Sequence, residues 1–260
     1  MVAPTCAKET VIGSGTYGTV VKTEIKGQPV AIKRISLHNH NRVFNNEVCI
    51  GFQVKNLQHV IHYKKSYIDG SSGCIVMDFC RTDLFQELCS LPKSLTEKEA
   101  AVIFFRICTA VKELHDAGVA HLDLKLDNIL VTESNDILLS DFGTSVSFVD
   151  GKAPIKKERF GTPIYLAPEV ETGGFVPSTA DVWSLGVIMH LLLTRRFPVQ
   201  KHCTFVSARN LRITGSKSKV CRDLLKRILK INPSERISME EILRHPWFGQ
   251  ELFFHTINCK

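Results

Sequence analysis

The hydrophobic pattern changes period once along this chain, and the change divides it into two unlike parts. Residues 9–35 carry short β-branched runs, Thr10-Val11-Ile12, Val20-Val21 and Val30-Ala31-Ile32, with a turn signal at Gly27-Gln28-Pro29. That reads as a β meander. Two more strand-like runs, near 59–68 and 74–79, flank Asp69-Gly70-Ser71-Ser72-Gly73, a turn by composition. From residue 94 the period is helical. Thr96-Glu97-Lys98-Glu99 is a capping box, and Ala101, Phe104, Phe105, Cys108, Val111 and Leu114 recur on one helical face before Gly118, a suitable C-terminal cap. A second helix is expected over about 179–194, and a late one from the capping box Ser238-Met239-Glu240-Glu241. The expected fold class is therefore α+β: a small antiparallel β-rich N-terminal lobe over about 9–78, a join at 78–83 and a larger, mainly helical lobe over about 84–250.

Composition narrows the function classes. With 44% hydrophobic and 23% charged residues in 260, the chain is an ordinary soluble globular protein, not a disordered tail, collagen or coiled coil. The nine cysteines are odd in number and scattered, with no C-x-x-C, which argues against a disulfide framework or zinc site and for a reducing compartment. Met1 to Lys8 lacks the apolar core of a signal peptide. The run Val182 to Leu193 is interrupted by Ser184, Gly186 and His190 and is too short for a bilayer, which needs ~20 residues. The expectation is a soluble cytoplasmic or nuclear protein with no membrane partner. A net charge of +7 favours anionic partners without choosing between nucleic acid, nucleotide and phosphoprotein.

The motifs choose. Gly13-Ser14-Gly15-Thr16-Tyr17-Gly18-Thr19-Val20 is a G-x-G-x-x-G, whose glycines let backbone N–H groups approach phosphate oxygens. Alone it is a weak signal. A dinucleotide fold would run from this loop into a helix, whereas here it leads to Val20-Val21, a turn and Val30-Ala31-Ile32-Lys33. Further on stands His121-Leu122-Asp123-Leu124-Lys125-Leu126-Asp127-Asn128, and thirteen residues after Asn128 comes Asp141-Phe142-Gly143. Then follow the run from Gly161 to Glu169 (GTPIYLAPE) and Asp181-Val182-Trp183-Ser184-Leu185-Gly186. Taken singly these have dull readings: Asp123 a solvated carboxylate, Asp141-Phe142-Gly143 a turn, Lys33 a snorkelling lysine, Glu169 a helix start. Their joint occurrence in order resembles the eukaryotic protein kinase family over about Thr10 to Phe248. The run at 161–169 and Lys125 look like the serine/threonine type. The stretch with Asn232-Pro233-Ser234-Glu235-Arg236 and His245-Pro246-Trp247-Phe248 is similar to calmodulin-dependent and related kinases, and Leu122 to the Mos kinases.

The resemblance implies a single kinase domain over 9–260, with ATP and Mg²⁺ (Mn²⁺ as substitute) as cofactors and Ser/Thr-bearing proteins as substrates. It implies that Ile12, Gly13, Ser14, Gly15, Thr16, Tyr17 and Gly18 cover the nucleotide. Val20, Ala31 and Leu130 would face the adenine, with Met77 as gatekeeper, although Met77 by itself is simply a core residue. Asp78 to Cys80 would form the hinge, and Asp83 would bind the ribose. Lys33 would hold the α- and β-phosphates. Its ion-pair partner should be a carboxylate on the next helix, and Glu47 is the only acid between residues 25 and 68. Asp123 would orient the substrate hydroxyl and Lys125 neutralise the γ-phosphate, while Asn128 and Asp141 would be hard oxygen ligands of Mg²⁺. Thr162 would belong to the substrate pocket, Glu169 would pair with Arg236, and Asp181 would anchor the catalytic loop.

Five departures from the family pattern carry expectations. Leu122 stands where many kinases have the Arg that receives a phosphorylated activation segment, so activity should not depend strongly on phosphorylation of Thr144, Ser145, Ser147 or Thr162. Leu126 replaces a stiffening Pro. Gly51, one turn after Glu47, predicts thin packing behind Phe142 and a loosely held helix. The spacing from Lys33 to Glu47 predicts a shortened helix or preceding loop, and the 26 positions from Phe197 to Asp223 predict a trimmed lower-lobe helix. Together with the bare termini these fit a minimal, monomeric kinase of viral type, which would work in the host cell. The basic residues Lys152, Lys156, Lys157 and Arg159 read as a solvated loop or as a substrate contact. The alternatives are a pseudokinase scaffold, disfavoured because Lys33, Glu47, Asp123, Asn128 and Asp141 are all present, and a nucleic-acid binder resting on charge alone.

Overall fold

Strand β1 (Thr10–Ser14) and strand β2 (Gly18–Ile25) pair antiparallel, and β2 turns into strand β3 (Gln28–Ser36) through Lys26 and Gly27. Both turn residues have positive φ (53° and 75°), the backbone a two-residue hairpin needs. The turn therefore sits one residue earlier than composition suggests, and Gln28 and Pro29 join the strand. The structure is a computed structural model that describes residues 8–149, 161–170, 176–197 and 217–249.

Strand β3 runs directly into helix α1 (Leu37–Val54), with a kink at His40 (φ −132°, ψ 27°). The short spacing before Glu47 is thus absorbed by removal of the connecting loop, while the helix keeps 18 residues. Strands β4 (Tyr63–Asp69) and β5 (Ser72–Asp78) complete a five-stranded sheet in the order β1-β2-β3-β5-β4. Asp69 pairs with Ser72, so the hairpin turns on Gly70 (φ 56°) and Ser71 alone, more tightly than the five polar residues imply.

Alternation along the central strand sorts side chains to two faces. Val30 and Ile32 join Val21, Tyr67, Cys74 and Val76 in a small outer core. Ala31 and Ile35 face the main core, and Lys33, in step with them, is carried to the same side.

Strand β6 (Thr82–Asp83) and helix α2 (Leu84–Ser90) lead to helix α3 (Glu97–Asp116). The Thr96–Glu99 capping box forms with both reciprocal bonds, and such a cap contributes about 1 kcal/mol. Gly118 takes φ +71° just after α3, where an L side chain would be strained. Strands β7 (Val119–Ala120), β8 (Ile129–Val131), β9 (Ile137–Leu139) and β10 (Val146–Ser147) follow, with β6-β8-β9 and β7-β10 as two small sheets. Helix α4 (Pro177–Thr194) is apolar all round, with every residue from Ala180 to Leu193 buried, as a helix through the middle of a lobe must be. Helix α5 (Lys219–Ile228) packs against it and helix α6 (Met239–Leu243) against α3, and α6 begins at the Ser238–Glu241 capping box. The two-lobe α+β architecture is the one the period change predicts. The trimmed helix expected between Phe197 and Asp223 and the basic residues 152–159 lie outside the described residues.

Candidate active site

A cleft of about 330 Å³ opens between the sheet and the helical lobe. Its roof is built from Ile12, Gly13, Val20 and Ala31, and Leu130 on β8 faces them from below. Met77, buried at the end of β5, forms the back, and the strand exit from Asp78 through Cys80 to Asp83 forms the edge. Lys33, Glu47, Asn128 and Asp141 line the inner end. Phe79, Arg81 and Thr82, within the expected join at 78–83, also border it, as do Gln86, Asp127 and Ser140, which sequence reading missed. Their signal was available only as neighbours of residues already chosen. Asp83 caps helix α2, accepting from the Gln86 N–H at 2.8 Å, and burial raises its carboxyl pKa.

The glycine-rich turn lies over this cleft. Gly15 N–H donates to the Gly18 carbonyl at 2.9 Å, and a Cβ on Gly18 would lie 1.7 Å from the Arg34 carbonyl oxygen, so that position requires glycine. Ser14 ends β1 opposite Thr19, and Thr16 sits at the tip. The Tyr17 ring packs edge-on against His40, with centroids 5.3 Å apart. Its phenol is raised by burial first and then by the negative charge of Asp123 and Asp141.

Lys33 Nζ lies 2.7 Å from Glu47 Oε2 and 2.9 Å from Asp141 Oδ1. Burial pushes the ammonium pKa down, but Asp141 and Glu47 more than reverse this, so Lys33 stays charged. Burial raises Glu47, Lys33 opposes that pull and the Asp141 charge adds to it, leaving the carboxyl at about 7. Asp141 is held below the usual carboxylate range, since Lys33 outweighs the effect of its own burial.

Gly51 does not leave the space behind Phe142 empty, contrary to the expectation from sequence. A Cβ on Gly51 would lie 2.7–2.9 Å from the Tyr63 ring, which fills the position a larger residue would take. The rings of Phe52, Tyr63, Phe142 and His121 run in series, with centroids 6.1, 6.1 and 5.3 Å apart, and Phe142 is fully buried. Tyr63 Oη also donates to Glu47 Oε1 at 3.3 Å. The missing volume on α1 is supplied from β4, two segments that sequence spacing alone does not link. Gly51→Leu is therefore expected to cost about 1–3 kcal/mol by overpacking, and Tyr63→Leu about 2–4 kcal/mol through the cavity left. The double variant should recover much of both losses. Denaturant unfolding of the four proteins checks this, and strictly additive losses would contradict it.

The loop from His121 to Asn128 is held from beneath. Asp181, fully buried on α4, accepts the N–H of His121 at 2.7 Å and of Leu122 at 2.8 Å, and His115 Nε2 lies 2.9 Å from it. These bonds hold Leu122 at φ +64°, a costly conformation for a non-glycine residue. The Leu122 side chain is buried against Leu166, Ala167 and Val170, so an apolar contact occupies this place. Asp123 Oδ1 accepts from the Thr162 N–H (2.8 Å) and hydroxyl (2.9 Å). Asp123 Oδ2 lies 3.0 Å from Lys125 Nζ and accepts from Asn128 Nδ2 at 3.2 Å. Lys125 Nζ also donates to Thr162 Oγ1 at 3.0 Å. Asn128 points its nitrogen at Asp123 and lines the cleft together with Asp141. That pair is a hard-oxygen donor set which, with phosphate oxygens and water, suits Mg²⁺. Further down, Arg236 makes a bidentate pair with Glu169 and lies over the Trp183 ring at 5.2 Å.

A family model described as "Protein kinase domain" matches residues 6–248. The chain belongs to the protein kinase family. Among curated relatives, this kinase domain is 35% identical over 250 residues to calcium-dependent protein kinase 27 of Arabidopsis thaliana, covering 89% of the chain and 48% of that protein. It is 30% identical over 258 residues to serine/threonine-protein kinase ULK3 of Homo sapiens (92% and 54%). It is 32% identical over 253 residues to NUAK family SNF1-like kinase 2 of Rattus norvegicus (91% and 39%). The kinase chain thus spans about half the length of the first of these relatives. Among its described residues, no helix is long and apolar enough to cross a membrane.

Proposed function

We propose that this chain is a serine/threonine protein kinase that transfers the γ-phosphoryl group of Mg²⁺-bound ATP to Ser or Thr hydroxyls of proteins. The observation that carries this is the setting of Asp123. Its carboxylate is fixed by Thr162 on one oxygen and, on the other, by Lys125 and by Asn128, which lines the cleft. Phosphoryl transfer asks the protein for position and charge, not covalent chemistry.

Asp123 orients the incoming hydroxyl and takes its proton as the oxygen bonds to the γ-phosphorus and the bond to the bridging oxygen of ADP breaks. Lys125 stands beside it to offset the charge on the transferred group. Lys33, fixed by Glu47 and Asp141, holds the α- and β-phosphates. Asn128 and Asp141 would hold Mg²⁺, which neutralises phosphate charge when bound, and Mn²⁺ can take its place. The turn from Gly13 to Gly18 covers the phosphates with backbone N–H groups. Val20, Ala31, Met77 and Leu130 enclose the adenine, whose edge pairs with the backbone at 78–80, and the Asp83 oxygen not used in capping faces the ribose. Asp181, Glu169 and Arg236 support the loop and the substrate segment. A single domain over 9–260 contains all of these parts. Transfer of label from γ-labelled ATP to a mixed Ser/Thr substrate tests the reading: none is expected with EDTA, and Mg²⁺ or Mn²⁺ should restore it. Nucleotide binding with no transfer under any metal would indicate a scaffold instead.

Activation-segment phosphorylation is not required in this reading. Position 122 offers a phosphate no cation. Thr144 and Ser145 are buried, with hydroxyls donating to the His121 carbonyl at 3.4 and 3.0 Å. Phosphatase-treated protein and Ser147→Ala are expected to keep activity within about threefold of the untreated protein, a change below 1 kcal/mol. A loss of 100-fold on phosphatase treatment, reversed by rephosphorylation, would overturn this part.

A further inference from the structure

Asn46 makes a set of contacts that none of the roles above uses. It precedes Glu47 on helix α1 and is half-buried. Its side-chain nitrogen donates to the carbonyls of Phe142 at 3.1 Å, Gly143 at 3.0 Å and Ser145 at 3.0 Å. Three carbonyl oxygens meeting at one point accept only, so the amide must turn its NH₂ to them. The backbone is bent to allow this: Asp141 has φ +66°, and Ser145 N–H donates to the Phe142 carbonyl at 3.1 Å. The approach of the helix is close as well, since a Cβ on Gly143 would lie 2.7 Å from Val43 Cγ1.

The placement matters because Lys33 draws its two carboxylates from separate elements. Glu47 rides on α1 and Asp141 on the segment that Asn46 grips, and each is the immediate neighbour of a gripped or gripping residue. On its other side the same segment is tied to the catalytic loop, through the Thr144 and Ser145 hydroxyls on the His121 carbonyl. Residues 142–145 are thus fastened between helix α1 and the loop that carries Asp123. We propose that Asn46 is a positioning residue for phosphoryl transfer: its amide clamps the backbone of Phe142, Gly143 and Ser145 to helix α1. The clamp keeps Glu47 and Asp141 on Lys33 with no phosphate on the activation segment. The inference rests on the kinase reading and deepens it. Where Leu122 removes a phosphate-dependent tie, a neutral side chain supplies a permanent one.

Asn46→Asp tests it, because Asp has the same shape but only acceptors to present to three carbonyls. Asn46→Ser, which is too short to reach, serves as a second variant should the first fold poorly. Either variant is expected to lower kcat about 10- to 100-fold, the equivalent of one or two net hydrogen bonds. The KM for ATP should change by less than about threefold, a shift below 1 kcal/mol, because the walls formed by Val20, Ala31, Met77 and Leu130 are untouched. A side chain that merely packs would leave Asn46→Asp close to wild type. Full kcat in Asn46→Asp, or in a folded Asn46→Ser, overturns the proposal. Hydrogen exchange of amides 142–147 gives a readout independent of activity: it should quicken at least tenfold in the variants while α3 and α4 stay protected. Unchanged exchange there overturns the clamp whether or not the wild type transfers phosphate. Quickened exchange in the variants, with a wild type that transfers no phosphate, would leave the clamp standing and remove the kinase reading.

Discussion

Asp123→Asn is expected to lower phosphoryl transfer by about 10²- to 10⁴-fold, the usual contribution of a positioned general base. Nucleotide affinity and thermal stability should be almost unchanged. The substitution keeps the shape of a side chain that is 7% exposed. One oxygen can still accept from Thr162. The other becomes an NH₂ group facing the Lys125 ammonium and the Asn128 amide, both donors, so hydroxyl orientation and proton acceptance are lost together. The groups left unpaired border the open cleft, where water can satisfy them, which keeps the stability cost low. Steady-state transfer alongside nucleotide titration and thermal unfolding checks the split. Retention of more than about a tenth of wild-type kcat would exclude Asp123 as the base, since a base contributes at least ~10²-fold.

The second large effect falls on stability. Glu169→Ala removes the carboxylate from a guanidinium whose side chain is wholly buried. Breaking a buried pair by deleting one partner costs about 3–5 kcal/mol, because an uncompensated charge remains inside. Arg236 keeps its bonds to the carbonyls of Lys230 and Thr179 and its place over Trp183, which sets the expectation towards the lower end of that range. Glu169→Leu combined with Arg236→Met should recover more than half of the loss, since it removes the stranded charge as well. Chemical denaturation of the single and double variants measures this. A single variant costing less than about 1 kcal/mol would mean the pair behaves as an exposed one.

Much of this molecule was legible before any coordinates. The β-to-helix change of period gave the two lobes, and two capping boxes marked the starts of α3 and α6. Lys33 and Glu47 could be paired because Glu47 is the only acid between residues 25 and 68, and they meet at 2.7 Å. What stayed hidden depends on contacts between distant segments. Gly51 read as a gap, since nothing in its own helix fills the space, and only the fold brings in Tyr63 from the next strand. Asn46 went unremarked, because its three acceptors are backbone carbonyls about a hundred positions away and have no signature in side-chain type. The short Lys33–Glu47 spacing was ambiguous between helix and loop. The continuous path from β3 into α1, kinked at His40, shows that the loop is what has been shortened.

Protein kinase activity on serine and threonine is the central claim, and its most direct measurement uses three peptide pools identical except for Ser, Thr or Tyr at one position. Incubated with phosphatase-treated protein, Mg²⁺ and γ-labelled ATP, the Ser and Thr pools should become labelled and the Tyr pool should not, with all label lost in Asp123→Asn. Label on the Tyr pool, or no label on any pool from protein that binds ATP, would contradict it.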